Sequence, residues 1–227
     1  MQYLDIHLSD GNVSRETIYS VYDFPFDKIE KYNVCRKNRK AYINQLLTFD
    51  IESTTIECEK PYGFMYAWQM CIENRVIFGR TWQEFILFIQ NIVDAQRVTP
   101  ANKLVIWVHN LSYEFQFIKN FFEWSNVFAK DSHKVLRAET KDGVEFRCSY
   151  FLTNKSLYKF CSGAKSHLYC KKDGEKFDYK KIRTADTPLS NYENEYRFCD
   201  VRGLSEALED LLIDDNLATI PMTSTGY

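Results

Sequence analysis

Three short stretches carry residue types and spacings suited to metal-assisted chemistry. In Leu46-Leu47-Thr48-Phe49-Asp50-Ile51-Glu52-Ser53-Thr54-Thr55 an apolar run ends in two carboxylates at i and i+2, positions that share one face of a β-strand. Two carboxylates on one face repel unless a cation lies between them, and oxygen-only ligands suit hard divalent ions such as Mg²⁺ or Mn²⁺. The stretch His109-Asn110-Leu111-Ser112-Tyr113-Glu114-Phe115 puts Asn110, Tyr113 and Glu114 at i, i+3 and i+4, one face of a helix starting near Asn110. In Tyr196-Arg197-Phe198-Cys199-Asp200 a phenol and a carboxylate again share a helix face. Taken singly, these read as a solvated strand edge, a capped helix with a first-turn glutamate favoured by the helix dipole, and a structural Tyr/Asp pair. Jointly, Asp50, Glu52, Glu114 and Asp200 are four carboxylates from three separated segments, each beside sequence that should pack into a core. Their convergence requires cations. Two divalent metals roughly 4 Å apart would stabilise the attacking and leaving oxygens of an in-line phosphodiester displacement, and a tyrosine hydroxyl such as that of Tyr196 is suited to orient the attacking water.

Apolar periodicity predicts the elements that must position these residues. From Leu46 the pattern is strand-like, and residues 64–72 and 76–79 flank Glu73-Asn74-Arg75 as an antiparallel hairpin beside the first strand. Thr81 opens a helical spacing of Trp82, Phe85, Ile86, Ile89 and Val93. Residues 103–109, after Pro100, form a buried-strand run that passes directly into a helix expected over 110–124. That places Asn110, Tyr113 and Glu114 at the carboxyl end of a buried strand, the edge of an open α/β sheet where sites gather. Short strands alternate over 127–152 with Lys141-Asp142-Gly143 as a turn. A short helix is expected near Asn154, and a lysine- and glycine-rich loop or hairpin insertion over 162–186. Residues 190–213 read as one long helix with Tyr192, Tyr196, Cys199, Val201, Leu204, Leu208, Leu211 and Leu212 as its periodic face. The order predicts a three-layer α/β fold, a mixed sheet flanked by helices, with a small β insertion. Residues 1–45, ending in the basic cluster Arg36-Lys37-Asn38-Arg39-Lys40, are an N-terminal extension whose pattern reveals no structure.

With 227 residues, 45% hydrophobic and 16% aromatic, the chain can bury one substantial core, so one domain with insertions is expected. A formal net charge of −2 excludes the overall basic field of a nonspecific nucleic-acid coat. A polyanion would be held instead by local contacts and bridging metal. Seven cysteines without a CxxC pair fit neither a disulfide framework nor a zinc ribbon and read as reduced thiols. No basic-then-apolar leader opens the chain, and no run approaches the ~18 apolar residues of a membrane span. A cytoplasmic protein without a membrane partner is expected.

In this order, the three stretches closely resemble the motifs of the 3′–5′ proofreading exonuclease domain of family B DNA polymerases. The family's Asp-x-Glu motif is matched by Asp50-Ile51-Glu52. Its second motif, an asparagine followed by an aromatic and an acid, is matched by Asn110-Leu111-Ser112-Tyr113-Glu114, and its Tyr-x-x-x-Asp motif by Tyr196 to Asp200. The finer likeness is to the protein-primed branch of phages and linear plasmids. There the second motif often opens His-Asn-Leu, as at His109-Asn110-Leu111, and a Ser/Thr-Leu single-strand motif is matched by Ser156-Leu157 with Phe160 behind it. A later lysine motif is answered by Lys172 or Lys176 ahead of Tyr179.

The resemblance covers residues 46–225 and implies a ribonuclease-H-like fold that hydrolyses the terminal phosphodiester of single-stranded DNA from its 3′ end. It implies two divalent ions, Mg²⁺ or Mn²⁺, held by Asp50, Glu52, Glu114 and Asp200, with Tyr196 completing the catalytic set. It also implies that Ser53, Asn110, Tyr113, Ser156, Leu157, Phe160, Lys172, Lys176 and Tyr179 hold the strand. One residue departs from the pattern: the acid of the second motif is usually aspartate, and Glu114 is one methylene longer. The family's palm carboxylates do not appear in these residues, and 216–227, polar and without a helix cap or core element, reads as the start of a linker after an exonuclease domain of 46–215. The chain is therefore expected to be the amino-terminal part of a polymerase, partnered by a C-terminal polymerase domain and a terminal priming protein. Two other readings are a binding module with a weakened catalytic centre, favoured by Glu114 alone, and another ribonuclease-H-like nuclease acting on RNA or structured DNA. These 227 residues should add no nucleotide to a primer under any metal, and incorporation of one labelled nucleotide would contradict that expectation.

Overall fold

Alternation along two central strands decides the architecture. In β5 (Leu47–Ile56) and β8 (Asn102–Val108), Leu47, Phe49, Ile51, Leu104, Ile106 and Val108 turn to one face, while Thr48, Val105 and Trp107 turn to the other. Strands apolar on both faces need helices on both. The computed structural model, which describes residues 1–29, 34–37, 40–131, 134–165, 167–169 and 177–226, has that arrangement. Helices α1 (Trp82–Gln96) and α2 (Leu111–Ile118) cover the first face, and α5 (Asn191–Leu211) covers the second. Across the sheet the order is β1 (Gln2–His7), β2 (Val13–Tyr19), β7 (Arg75–Gly79), β6 (Tyr62–Ile72), β5, β8, β11 (Val144–Cys148), β10 (Val135–Thr140) and β9 (Trp124–Ala129). The hairpin of β3 (Val34–Lys37) and β4 (Lys40–Ile43) joins through β4 to the first residues of β8. Strands β5, β8 and β11 run parallel, whereas β5–β6, β6–β7 and β10–β11 are antiparallel. The sheet is thus mixed and flanked by helices, as a ribonuclease-H-like α/β fold requires.

Local signals set the element ends. Glu73 and Asn74, with φ of 49° and 63°, form a two-residue turn between β6 and β7, the backbone a tight hairpin prefers. Thr81 caps α1, its hydroxyl accepting from the Glu84 N–H while the Glu84 carboxylate accepts from the Thr81 N–H. A 15-residue helix is marginal alone; α1 holds its place through buried Phe85, Phe88, Ile89 and Ile92, each worth about 1.5–3 kcal/mol of burial. At the β10–β11 turn Gly143 has φ 95°, and a Cβ there would lie 2.3 Å from the Thr99 carbonyl oxygen. Gly143→Ala should lower the unfolding free energy by ~1–3 kcal/mol, seen as a lower urea midpoint at constant slope. An unchanged midpoint would mean that neither the strain nor the clash is real.

The chain departs from its sequence pattern in four places. The helix expected over 110–124 ends at Ile118. Phe115, Phe122, Trp124 and Phe146 pack ring against ring at 5.1–6.0 Å between centroids, and Trp124 Nε1 donates to the Lys119 carbonyl at 2.7 Å, so the chain turns back and begins edge strand β9 at Trp124. Near Asn154 stand two short helices, α3 (Ser149–Thr153) and α4 (Leu157–Ser162); Asn154 itself, at φ 53°, ends the first. Segment 216–226 does have core contacts, since Leu217, Ala218 and Ile220 are buried with Val105, Trp107 and Leu208, and Arg147 donates to the Leu217 carbonyl at 2.7 Å. Finally, α5 is buried nearly all round, because the N-terminal strands bring Leu4, Ile6 and Ile18 against Phe198, Cys199 and Val201. No disulfide joins the six described cysteines, and among the described residues no helix is long and apolar enough to cross a membrane.

Candidate functional site

The face of β5 that carries Thr48 also carries Asp50 and Glu52, and it looks toward α5. The Thr48 hydroxyl donates to the Val201 carbonyl at 2.8 Å, which fixes α5 against β5 one residue from Asp200. One carboxylate oxygen each of Asp50, Glu52 and Asp200 lies within 4.8 Å of the others, a grouping that could hold metal ions. Glu52 and Asp200 are buried and Asp50 half-buried. Opposite Asp50 in the β5–β6 register lies Gln69, whose Nε2 donates to Asp50 Oδ2 at 2.9 Å and, more weakly, to Glu52 Oε1 at 3.4 Å. Its Oε1 accepts from Arg197 Nε at 3.0 Å. Burial lowers the Arg197 pKa to about 10, against the opposing pull of Glu52, and leaves it charged at neutral pH.

Glu114 lies in the first turn of α2, directly after β8, and is 4% exposed. It stands outside the three-carboxylate grouping but adjoins it through Asp50: burial first, and the Asp50 charge next, push its pKa well above the ordinary carboxylate value. Its Oε2 has no hydrogen-bond partner among the described residues. A buried oxygen left without a donor costs about 1–3 kcal/mol, more when charged. An orphaned carboxylate oxygen beside three further carboxylates matches the all-oxygen donor set of a hard divalent cation.

Around this cluster opens a cleft of about 450 Å³, lined by Asp50, Glu52, Ser53, His109, Asn110, Tyr113, Glu114, Leu157, Tyr179, Tyr196 and Asp200. Tyr196 is 4% exposed and its hydroxyl lies 3.0 Å from that of Tyr179. Burial, then the charge of Asp200, then that hydrogen bond drive its pKa far upward, so the phenol stays protonated. Tyr113, half exposed, is hydrogen-bonded through its hydroxyl to Ser53 and rests its ring 5.3 Å from Phe117. Burial raises its pKa as well. Asn110 sits at the α2 N-cap with left-handed backbone (φ 70°), exposed and making no side-chain cap. His109 Nδ1 lies 3.0 Å from the Ser149 hydroxyl.

Other expected contacts fall elsewhere. Ser156 is the N-cap of α4, its hydroxyl accepting from the Lys159 N–H at 3.4 Å, and it does not line the cleft. Phe160 turns inward and is buried with Leu152, Leu204 and Leu208, which makes it a core residue rather than a cleft one. Lys172 and Lys176 lie outside the described residues. Gln69 and Arg197 escape a reading of the sequence, although a lone amide inside the apolar run 66–72 is a signal. What hides it is the loop between β5 and β6, whose length does not reveal that Gln69 falls opposite Asp50.

No protein-family model matches the chain, and no curated protein matches it in sequence. Its fold is similar to solved structures of the phi29 DNA polymerase. The complex with primer-template DNA and incoming nucleotide substrates matches with TM-score 0.60 at 17% identity, over 79% of this chain and 32% of the polymerase. The complex with single-stranded DNA matches with TM-score 0.60 at 17% identity, over 75% and 32%. The chain thus spans about a third of the length of that polymerase, and at this identity the likeness is one of fold.

Proposed function

We propose that the chain is the proofreading 3′–5′ exonuclease domain of a protein-primed family B DNA polymerase, removing terminal nucleotides from single-stranded DNA. The observation that carries this reading is the meeting of Asp50, Glu52, Asp200 and Glu114 with Tyr196, Asn110 and Tyr113 in one cleft. The similarity of fold to a polymerase solved with single-stranded DNA supports it.

Two divalent ions, Mg²⁺ or Mn²⁺, held by Asp50, Glu52, Asp200 and Glu114, would supply the positive charge that stabilises attacking and leaving oxygens in an in-line displacement. The remaining work falls to the chain itself. The Tyr113 ring, steadied by Ser53, offers a stacking face worth ~1–3 kcal/mol per base. Asn110 presents an exposed amide to the sugar or base edge, and Leu157 and Tyr179 complete the strand's surroundings. Tyr196, protonated throughout the neutral range, orients the water and does not take its proton. Residues 46–215 carry the site, while the strands before residue 46 and the buried Leu217, Ala218 and Ile220 belong to the same packed unit; a polymerase domain and a priming protein would be its partners.

A 5′-labelled single strand should shorten stepwise from its 3′ end with Mg²⁺ or Mn²⁺ and stay intact in EDTA. An intact strand under both metals, or digestion from the 5′ end, would overturn the proposal, and preference for RNA or structured DNA would redirect it to another nuclease. Tyr196→Phe should lower kcat by about 10- to 100-fold with little change in KM, the mark of a group that acts in the transition state. Full activity in Tyr196→Phe would remove the hydroxyl from the mechanism.

A further inference from the structure

The amide of Gln69 is held in one orientation by a neighbour that leaves it no alternative. Arg197 is 2% exposed and offers only N–H donors, so the Gln69 atom 3.0 Å from Arg197 Nε must be the oxygen. The amide NH₂ therefore faces Asp50 Oδ2 and Glu52 Oε1. Arg197 cannot swing away, since its guanidinium also donates to the carbonyls of Trp68 at 2.8 Å and Gly79 at 3.4 Å and lies 4.1 Å from the Phe78 ring centre. A buried guanidinium this close to carboxylates would ordinarily pair with them bidentately and occupy the oxygens a metal needs. Gln69 stands between them, neutral, with an acceptor toward the cation and a donor toward the acids.

We infer that Gln69, oriented by Arg197, is a positioning residue for the metal-holding carboxylates: by taking one oxygen of Asp50 and one of Glu52 it sets the rotation in which both meet a divalent ion. The inference rests on the reading of this cleft as a metal-dependent nuclease site. Groups that orient metal ligands from behind typically contribute about 10- to 100-fold in metal affinity or activity.

The test is Mn²⁺ binding by the full chain, followed by electron paramagnetic resonance, alongside oligonucleotide affinity and melting in EDTA. Gln69→Met keeps the volume and removes the amide. Gln69→Glu keeps the acceptor for Arg197 and removes the donor, and by charge alone a fifth carboxylate would tighten the ion. In whichever variant melts cooperatively, the half-saturating Mn²⁺ concentration should rise about tenfold or more while oligonucleotide affinity stays unchanged. Unchanged or tighter Mn²⁺ binding in a folded variant overturns the inference, as does loss of cooperative melting in both, which would make Gln69 a packing residue. A parent that binds Mn²⁺ yet digests no DNA would sink the nuclease reading alone and leave Gln69 to be judged on affinity; a parent that binds no Mn²⁺ would sink both.

Discussion

Asp50→Ala should reduce 3′–5′ digestion by at least about 1000-fold, the scale seen when one member of a set acting as a unit is removed, while the metal-free protein melts at or above the temperature of the parent. The two halves have one cause. Asp50 groups with Glu52 and Asp200 and is also the carboxylate whose charge acts on buried Glu114, so it meets all three of the others. Without a cation that meeting is repulsive, and removing the charge relieves it. Asp200→Ala should lose activity to the same degree. A collapsed melting transition in either variant, with metal absent, would mean that these carboxylates hold the fold together and are not strained by proximity.

Glu114→Gln should slow digestion by about 100-fold or more, at the upper end of losses for groups bound to or orienting a metal, although the substitution keeps the size and removes only the charge and one acceptor oxygen. Glu114→Asp should retain a measurable part of the rate, because an oxygen ligand remains and α2 need shift by only about one helical rise of 1.5 Å. The titration of Glu114 gives an independent readout. Its folded pKa is raised from the ordinary 4.5 by burial and by Asp50. A raised folded pKa contributes stability that is fully present below the unfolded value and is lost as pH climbs through the folded one. The metal-free parent should therefore melt progressively lower as pH rises above 4.5 toward neutrality, and Glu114→Gln should flatten that fall. A rate unchanged by Glu114→Gln, in protein that does digest DNA, would show that this residue is no ligand.

How much of this was legible beforehand depended on whether the relevant geometry was local. That Asp50 and Glu52 share a face, and that Tyr196 and Asp200 share another, follows from strand and helix periods alone. The strand–helix alternation over 46–213 was readable for the same reason, down to the Thr81 cap and the Gly143 turn. Whatever depended on a distant partner was not. The helix after β8 stops short because Trp124 finds Phe146, a ring contributed by β11 more than twenty residues on. Phe160 is placed with the strand-holding residues by the resemblance and packs like a core one because α4 lies over Leu204 and Leu208. The all-round burial of α5 needed the first twenty residues, where Leu4, Ile6 and Leu8 do alternate with Asp5 and His7 but do not reveal that their apolar face meets α5.

The Thr48–Val201 hydrogen bond joins residues 153 positions apart, and this separation is also an interval of time. At ribosomal rates of roughly 5–20 residues per second, β5 waits roughly 8–30 s after its own synthesis before the helix that covers it exists. During that interval Val105 and Trp107, one sheet face of the finished protein, have no α5 to cover them, and β1 lacks the helix against which Leu4 and Ile6 are buried. The carboxylates acquire Asp200 in the same late event. Nascent chains truncated before residue 191 should then bind chaperones that recognise exposed apolar sheet, and release them once α5 has emerged.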